Sequence, residues 1–402
     1  MDKTINNILV TDGEDRHALA IIRSLGRKGH TITAVSHDSN PISFLSKYVS
    51  YKINSPLSSN HKEYGDFLLN LIKKNKYDVL VVCTEHVINI LSQRRQEFAP
   101  FVKFALPSNE SFKITADKIA TLKYAAEKKI PMPRTVFPES IEQAFEKAKV
   151  LEYPFVIKGS QGSGAANVDI VYGKHEFENK YLKVIENLKD FGVEELPMLQ
   201  EFVEGVGYGF STIYNNGKRI AHFMHRRLLQ YPSAAGQCVI AHQVFEKELE
   251  ESGTRLFDSL DWHSVGMAEF RKDVKDGIFK LMEINPRFWG SVDLPIRLGI
   301  DFADLYRRLA LNEDLQEIKE TNKQSKDFLF LFPHAVVSFM ESPKQFFQVY
   351  KQLERKNTLT DYDSKDFRPL FRQLRLTFWH IRKHLKKYGF RNLEKTSARK
   401  GK

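Results

Sequence analysis

Cysteine is nearly absent, with Cys83 and Cys238 the only two in 402 residues. Two thiols so far apart offer no disulfide framework, which excludes the small stapled secreted folds and fits a reducing compartment. Long hydrophobic runs are missing as well. A membrane-spanning helix needs about 20 apolar residues, and the nearest stretch, 328–340, is broken by Pro333 and His334. Residues 1–7 are polar and run straight into the strand-like Ile8-Leu9-Val10, so no signal peptide is read and a cytoplasmic location is expected. Low-complexity segments and internal repeats are also lacking. The net charge of +11 belongs to one end: residues 343–402 hold 17 Lys/Arg against 5 Asp/Glu, a surplus of 12, which leaves the rest of the chain near −1. A near-neutral body excludes a polyanion-binding surface there, so no nucleic-acid partner is expected.

What is present is ordinary globular composition, 42% hydrophobic and 28% charged, in a chain long enough for two or three domains. Short apolar runs at 8–10, 31–35, 78–84 and 101–106 alternate with helical periodicity, the pattern of βαβ units and a parallel sheet. Asp12, Ser36 and Glu85 fall at the carboxyl ends of those strands, where such sheets bind ligands; loop capping is the other reading. A helix over 116–129 ends at Pro131-Met132-Pro133, a hinge into a second unit. Strands are expected there at 155–158, 168–171, 198–202, 210–214, 220–225, 266–270 and 279–284. Asn215-Asn216-Gly217 makes a tight hairpin turn. Residues 290–309 read as a closing helical region.

Four stretches carry chemistry. In Phe155-Val156-Ile157-Lys158-Gly159-Ser160-Gln161-Gly162-Ser163-Gly164 a strand ends in a lysine and a glycine-rich loop follows. Glycines let backbone N–H groups close on phosphate oxygens, and lysine adds a point charge. The stretch is not a Walker A motif, because no lysine follows Gly164. A plain glycine hairpin is the competing reading. Second, Glu269 lies on one strand and Glu283 and Asn285 on the next. Residues 283 and 285 share a strand face, so two carboxylates and an amide oxygen converge on a site suited to Mg²⁺. Arg287 follows within reach of a phosphoryl group. The alternative is a buried ion pair with Arg271 or Arg287. Third, Gln200-Glu201-Phe202-Val203-Glu204 ends an apolar strand and reads as an inter-lobe linker. Fourth, His225-Arg226-Arg227 closes a strand, where two arginines invite an anion or sit in a solvated turn.

These motifs in this order, with Thr115-Ala116-Asp117-Lys118, resemble the ATP-grasp superfamily over roughly 7–311, in particular its carboxylate–amine ligases related to carbamoyl-phosphate synthase and biotin carboxylase. The resemblance implies an α/β architecture: a Rossmann-like parallel-sheet domain (1–112), an ATP-grasp domain of two α+β lobes holding ATP (113–200 and 201–320), and a basic helical C-terminal extension (321–402). It implies ATP with Mg²⁺, or Mn²⁺ in its place. Lys118 and Lys158 would contact the phosphates, and Gly159, Ser160, Gly162, Ser163 and Gly164 would fold over them. Gln200, Glu201, Phe202, Val203 and Glu204 would meet the nucleoside, Glu269, Glu283 and Asn285 would hold the metal, and Arg287 would steady the phosphoryl group. Many members carry a ribose-binding Glu where this chain has Gly207. The implied reaction joins a small carboxylate to an amine through an acyl phosphate, with Arg287, Lys158 and Arg226 as catalytic candidates. No pattern identifies a general base, for which Glu85 and His225 qualify by type alone. Carboxylases and other acyl-phosphate-forming enzymes share this ATP machinery, and a non-catalytic nucleotide-binding module is the rival class.

The basic end contains Phe367, Leu370, Phe371, Leu374, Phe378, Ile381 and Leu385 at three- and four-residue steps, one helical stripe, with Arg and Lys filling the remainder. Three readings stand: packing on the body, contact with an anionic membrane surface at the inner face through 367–390, or nucleic acid. No signal bears on oligomeric state.

Overall fold

In the computed structural model, which describes residues 4–160, 167–190, 192–231, 237–318, 325–338 and 343–388, β-branched runs near the N-terminus form a parallel sheet of β1 (Asn7–Val10), β2 (Thr31–Ser36), β3 (Tyr51–Asn54) and β4 (Val79–Val81) in the order β3-β2-β1-β4. The expected strand at 101–106 reduces to a single bridge between Val79 and Lys103. Phe101 points to solvent and Pro107 closes the segment before a ladder can extend. Helices Arg16–Arg27 and His61–Lys74 cover the sheet.

The expected helix over 116–129 is two helices, Asn109–Ala116 and Lys118–Glu127. Asp117 separates them in extended conformation and caps the second by accepting from Ala120 N at 2.8 Å. That cap fixes Lys118 at the first turn of a helix.

A second, antiparallel sheet follows: β5 (Thr135–Val136), β6 (Phe155–Lys158), β7 (Val168–Val171) and β8 (Met198–Glu201), ordered β5-β8-β6-β7 and backed by helix Lys174–Asp190. Its core is Phe155, Ile157, Phe177, Tyr181 and Leu188. Gly159 is required by packing, since a Cβ there would lie 2.8 Å from Leu188 Cδ2.

The third sheet has seven strands. β9 (Gly205–Asn215) and β10 (Lys218–Tyr231) form the expected hairpin, with Asn216 and Gly217 both at positive φ. β11 (Gln237–Gln243), β12 (Ser264–Asp273), β13 (Phe279–Asn285), β14 (Asp327–Leu329) and β15 (Thr358–Thr360) complete the order β13-β12-β9-β10-β11-β14-β15. The C-terminal extension is therefore helical, as expected, and also lends two short strands to this sheet's edge.

One face of the third sheet, with Phe210, Met224, Ala268 and Phe270, packs on helix Lys247–Ser259. On the opposite face Ile213, Phe223, Val265 and Met267 share a core with helix Phe302–Ala310 and the parallel sheet. Further along that second face the apolar residues give way to charged ones, and the small second sheet lies over them.

Candidate functional site

Glu269 and Glu283 are direct register partners, and Met267 pairs with Asn285. Paired antiparallel residues project from the same face, as do residues two apart on one strand. The two carboxylates and the amide therefore share one face of β12 and β13. A bulge after Glu269 leaves Met282 outside the ladder, and its carbonyl accepts from Lys158 Nζ at 2.9 Å, reaching across from the end of β6. Lys118 Nζ lies 3.7 Å from Glu283 Oε2, and Lys118 N donates to Ser160 O at 3.0 Å. The base of the glycine loop is thus stitched to the capped helix. Gly162, Ser163 and Gly164 lie outside the described residues.

Arg287 is positioned by its neighbours. Phe288 and Trp289 are essentially inaccessible and pack on Tyr306 and Phe302 with ring centroids 5.4 Å and 5.0 Å apart. Burying rings of this size is worth ~4–6 kcal/mol each by area. The guanidinium then donates to Asn285 Oδ1 at 3.0 Å and meets Glu85 Oε1 at 3.2 Å. Asn285 Nδ2 in turn donates to Glu269 Oε1 at 3.3 Å.

The ion-pair partners differ from those expected. Glu269 meets Arg227 Nη2 at 2.5 Å rather than Arg271 or Arg287, and Glu283 meets Lys118. Arg227 reaches the site because of pleat alternation. Glu283, Glu269, Gly209, His225 and Gln243 are successive register partners across β13, β12, β9, β10 and β11, and the next row on that face holds Arg271, Gly207 and Arg227. Arg226 is out of step by one residue and pairs with Tyr208 and His242. It projects from the opposite face, so Arg226, the arginine singled out from the sequence, does not join the cluster, and its neighbour does. Gly209 makes room for the row: a Cβ there would lie 2.4 Å from His225 Cε1. At Gly207, a Cβ would sit 3.4 Å from Arg227 Cδ.

The cluster's electrostatics follow from burial and crowding. Removal from water favours the protonated form of Glu283, but Lys158, Lys118, Arg227 and Arg287 outweigh it and hold the carboxyl below its ordinary range. Burial lowers the Lys158 ammonium, with Glu283 opposing. Burial and then the charge of Arg227 push His225 down to about 3, so it is neutral at physiological pH. Its Nε2 lies 3.4 Å from Ser291 Oγ. Five cations (Lys118, Lys158, Arg227, Arg271, Arg287) face three carboxylates (Glu85, Glu269, Glu283), an excess of +2. A hard divalent cation fits the all-oxygen donor set of Glu269, Glu283 and Asn285. Among the described residues no group of three or more His, Cys, Asp or Glu could enclose a metal. A cation here would complete its shell from a ligand, and the excess positive charge suits an anionic one such as a polyphosphate.

The inter-lobe residues sort by burial. Gln200 is buried and donates to Thr135 Oγ1 at 3.2 Å. Glu201 accepts from Arg134 N at 3.1 Å and lies 3.7 Å from Lys280 Nζ. Val203 is buried, Phe202 half-buried and Glu204 exposed, its carbonyl accepting from Val274 N at 2.9 Å. Of the residues expected at the parallel-strand ends, Glu85 reaches the cluster. Asp12 and Ser36 line a separate small recess with Glu14, His37 and Tyr64. Burial there raises Asp12 to about 7, against a hydrogen bond from Thr11 Oγ1 at 2.6 Å.

Residues 115–291 match the family model of the ATP-grasp domain. Urea amidolyase of Saccharomyces cerevisiae is 24% identical over 259 residues, covering 60% of this chain and 14% of that protein, so the chain spans about a seventh of that relative's length. D-aspartate ligase of Enterococcus faecium is 20% identical over 303 residues, covering 68% of this chain and 70% of the ligase. Among solved structures, the biotin carboxylase domain of Hydrogenobacter thermophilus 2-oxoglutarate carboxylase, in complex with MgADP, ADP and bicarbonate, superposes with a TM-score of 0.67. It is 17% identical and covers 81% of this chain and 74% of that one, a likeness of fold.

Proposed function

We propose that this chain, whose residues 115–291 form an ATP-grasp domain, is an ATP-dependent ligase that activates a small-molecule carboxylate as an acyl phosphate and joins it to an amine, with release of ADP and phosphate. The observation that carries the reading is the pairing of Glu269 with Glu283 on one strand face beside Asn285, under Lys158 and Lys118. The similarity to D-aspartate ligase supports the choice of acceptor chemistry.

Glu269, Glu283 and Asn285 would hold Mg²⁺, which when bound neutralises phosphate charge and polarises the γ-phosphoryl group. Lys118, from the first turn of its capped helix, and Lys158, from the end of β6, bind the phosphates, and the loop beginning at Gly159 and Ser160 excludes water from a hydrolysable mixed anhydride. The backbone at Phe202 and Val203 meets the adenine edge. Arg287 is oriented by Asn285 and Glu85 toward the transferring phosphoryl group. The substrate carboxylate attacks the γ-phosphorus, the P–O bond to ADP breaks, and the amine then displaces phosphate from the acyl carbon. Arg227, held by Glu269, is the anion-binding arginine of the pair. Neutral His225 lies beside it but is too weak a base to take the amine proton.

A panel of carboxylates and amines, screened for ADP release and followed by mass spectrometry, tests this. ADP release that needs both partners and yields an amide supports it. Release that needs bicarbonate together with one acceptor and yields that acceptor carboxylated replaces it with a carboxylase reading.

A further inference from the structure

The C-terminal helix, Arg368–Tyr388, is packed the wrong way round for a helix that only supports the body. Its buried positions are Pro369 and two polar residues, Gln373 (7% exposed) and Thr377 (4%), while its aromatics face outward: Phe371 is 63% exposed, Phe378 70%, Trp379 54%, and Phe367 just before it 49%. The expected stripe is thus split. Leu370, Leu374, Ile381 and Leu385 are half-buried flanks, and the phenylalanines of the same stripe look into solvent.

The cause lies in what anchors the segment. Asp366 is buried and accepts from Arg23 Nε at 2.9 Å, Ser46 Oγ at 2.8 Å and Lys47 N at 2.8 Å. Arg372 donates to Asp38 Oδ2 at 3.0 Å, and Gln373 to Asp361 Oδ2 at 3.4 Å. Polar contacts, with the N-terminal domain for Asp366 and Arg372 and with Asp361 of the same extension for Gln373, therefore hold the helix in this roll. At about 100° per residue, Phe371, Phe378 and Trp379 share an outward arc of about 100° with Arg368, Arg375, Arg382 and Lys386. The helix carries seven Lys/Arg and no Asp or Glu.

We propose that this face lies on a lipid bilayer bearing anionic headgroups, with the helix axis in the plane of the surface and the aromatics entering the acyl boundary. No helix among the described residues is long and apolar enough to cross a membrane, so the contact is peripheral. Charge complementarity selects the anionic surface: a helix with no acidic residue offers arginines between exposed rings, and their stems reach up to phosphate while the rings go down. Duplex nucleic acid would use the arginines but has no use for three aromatics solvated on the same arc; a single strand would stack on them, and the competition below separates it from the bilayer. The acyl-phosphate chemistry proposed above is independent of this face.

Co-sedimentation of the full chain with vesicles of phosphatidylglycerol and phosphatidylcholine, against phosphatidylcholine alone, tests the proposal at physiological salt. Binding to the anionic vesicles should be at least tenfold tighter. Phe371→Ser/Phe378→Ser/Trp379→Ser should weaken it tenfold or more. Arg375→Gln/Arg382→Gln should weaken it about 25-fold, at about fivefold per charge. The unmodified protein supplies a second reading. Of the three tryptophans, Trp262 and Trp289 are buried and Trp379 is exposed, so anionic vesicles should shift its fluorescence to the blue. Absent binding and shift, or binding that the aromatic variant leaves intact, would overturn the proposal. So would single-stranded or duplex nucleic acid that competes fully with the vesicles, or a dimer that the aromatic substitutions dissociate without any vesicle binding.

Discussion

Removing Arg227 should destabilise the protein through the carboxylate it leaves behind, and a second substitution should return most of the loss. Arg227 Nη2 and Glu269 Oε1 are 2.5 Å apart, and the two side chains are 15% and 20% exposed. At an effective dielectric near 20 the gross attraction at this distance is about 7 kcal/mol. Most of that is offset by the desolvation of both ions, so truncating one partner of a buried pair costs about 3–5 kcal/mol. Because a fifth of Glu269 still meets solvent, Arg227→Met is expected to cost about 2–4 kcal/mol in urea unfolding followed by circular dichroism. Arg227→Met/Glu269→Gln should recover about 2 kcal/mol of it, a coupling well above the scatter of independent sites. Arg226→Met, on the opposite face, should show no such coupling to Glu269→Gln. If Arg227→Met is neutral, or its cost simply adds to that of Glu269→Gln, then the pairing across β12 and β10 does not organise this cluster.

Three further outcomes follow from the same geometry. Lys158→Met keeps the apolar stem and removes the charge; kcat/KM for ATP should fall 10²–10³-fold, with little loss of thermal stability because a buried ammonium is no longer desolvated. Gly209→Ala places a methyl 2.4 Å from His225 Cε1 and should cost about 1–3 kcal/mol by overpacking, measured by denaturant titration. Asp12, raised to about 7 by burial, is protonated in the folded protein where the unfolded chain is ionised. Its contribution is therefore fully present below pH 4 and is lost as pH rises through 7. Asp12→Asn should match the parent near pH 4 and be more stable at pH 8, by up to about 4 kcal/mol.

The trio proposed to hold the metal was legible because its signal is local: Glu283 and Asn285 are two apart on a strand, and Glu269 lies one hairpin earlier. Lys158 was legible for the same reason, at the end of a strand, whereas Lys118 lay inside the expected helix over 116–129 and was named through the resemblance alone. Arg227 could have been found by the same rule of two, since His225 and Arg227 alternate with Arg226, but choosing between them requires knowing the register of β10 on β9 and of β9 on β12. The bulge that turns out the Met282 carbonyl has no signature in a side-chain pattern, because it is a register mismatch between two strands. The tail shows the limit of amphipathic reading. Its stripe spans Phe367 to Leu385 on one side, yet Asp366, Arg372 and Gln373 hold the roll by polar contacts, with residues more than 300 positions away in the case of Asp366 and Arg372. β11 and the two C-terminal strands were missed because Gln237–Gln243 is polar at both ends and Asp327–Leu329 and Thr358–Thr360 are three residues each.

The central claim is that Glu269, Glu283 and Asn285 hold a divalent cation against a nucleotide. Calorimetric titration of ADP, with and without Mg²⁺, into the parent and Glu283→Gln tests it most directly. The account predicts ADP binding at least tenfold tighter with Mg²⁺ in the parent, and a Glu283→Gln protein that binds ADP equally in both conditions. A parent indifferent to Mg²⁺, or a Glu283→Gln protein that keeps the full Mg²⁺ effect, would contradict it.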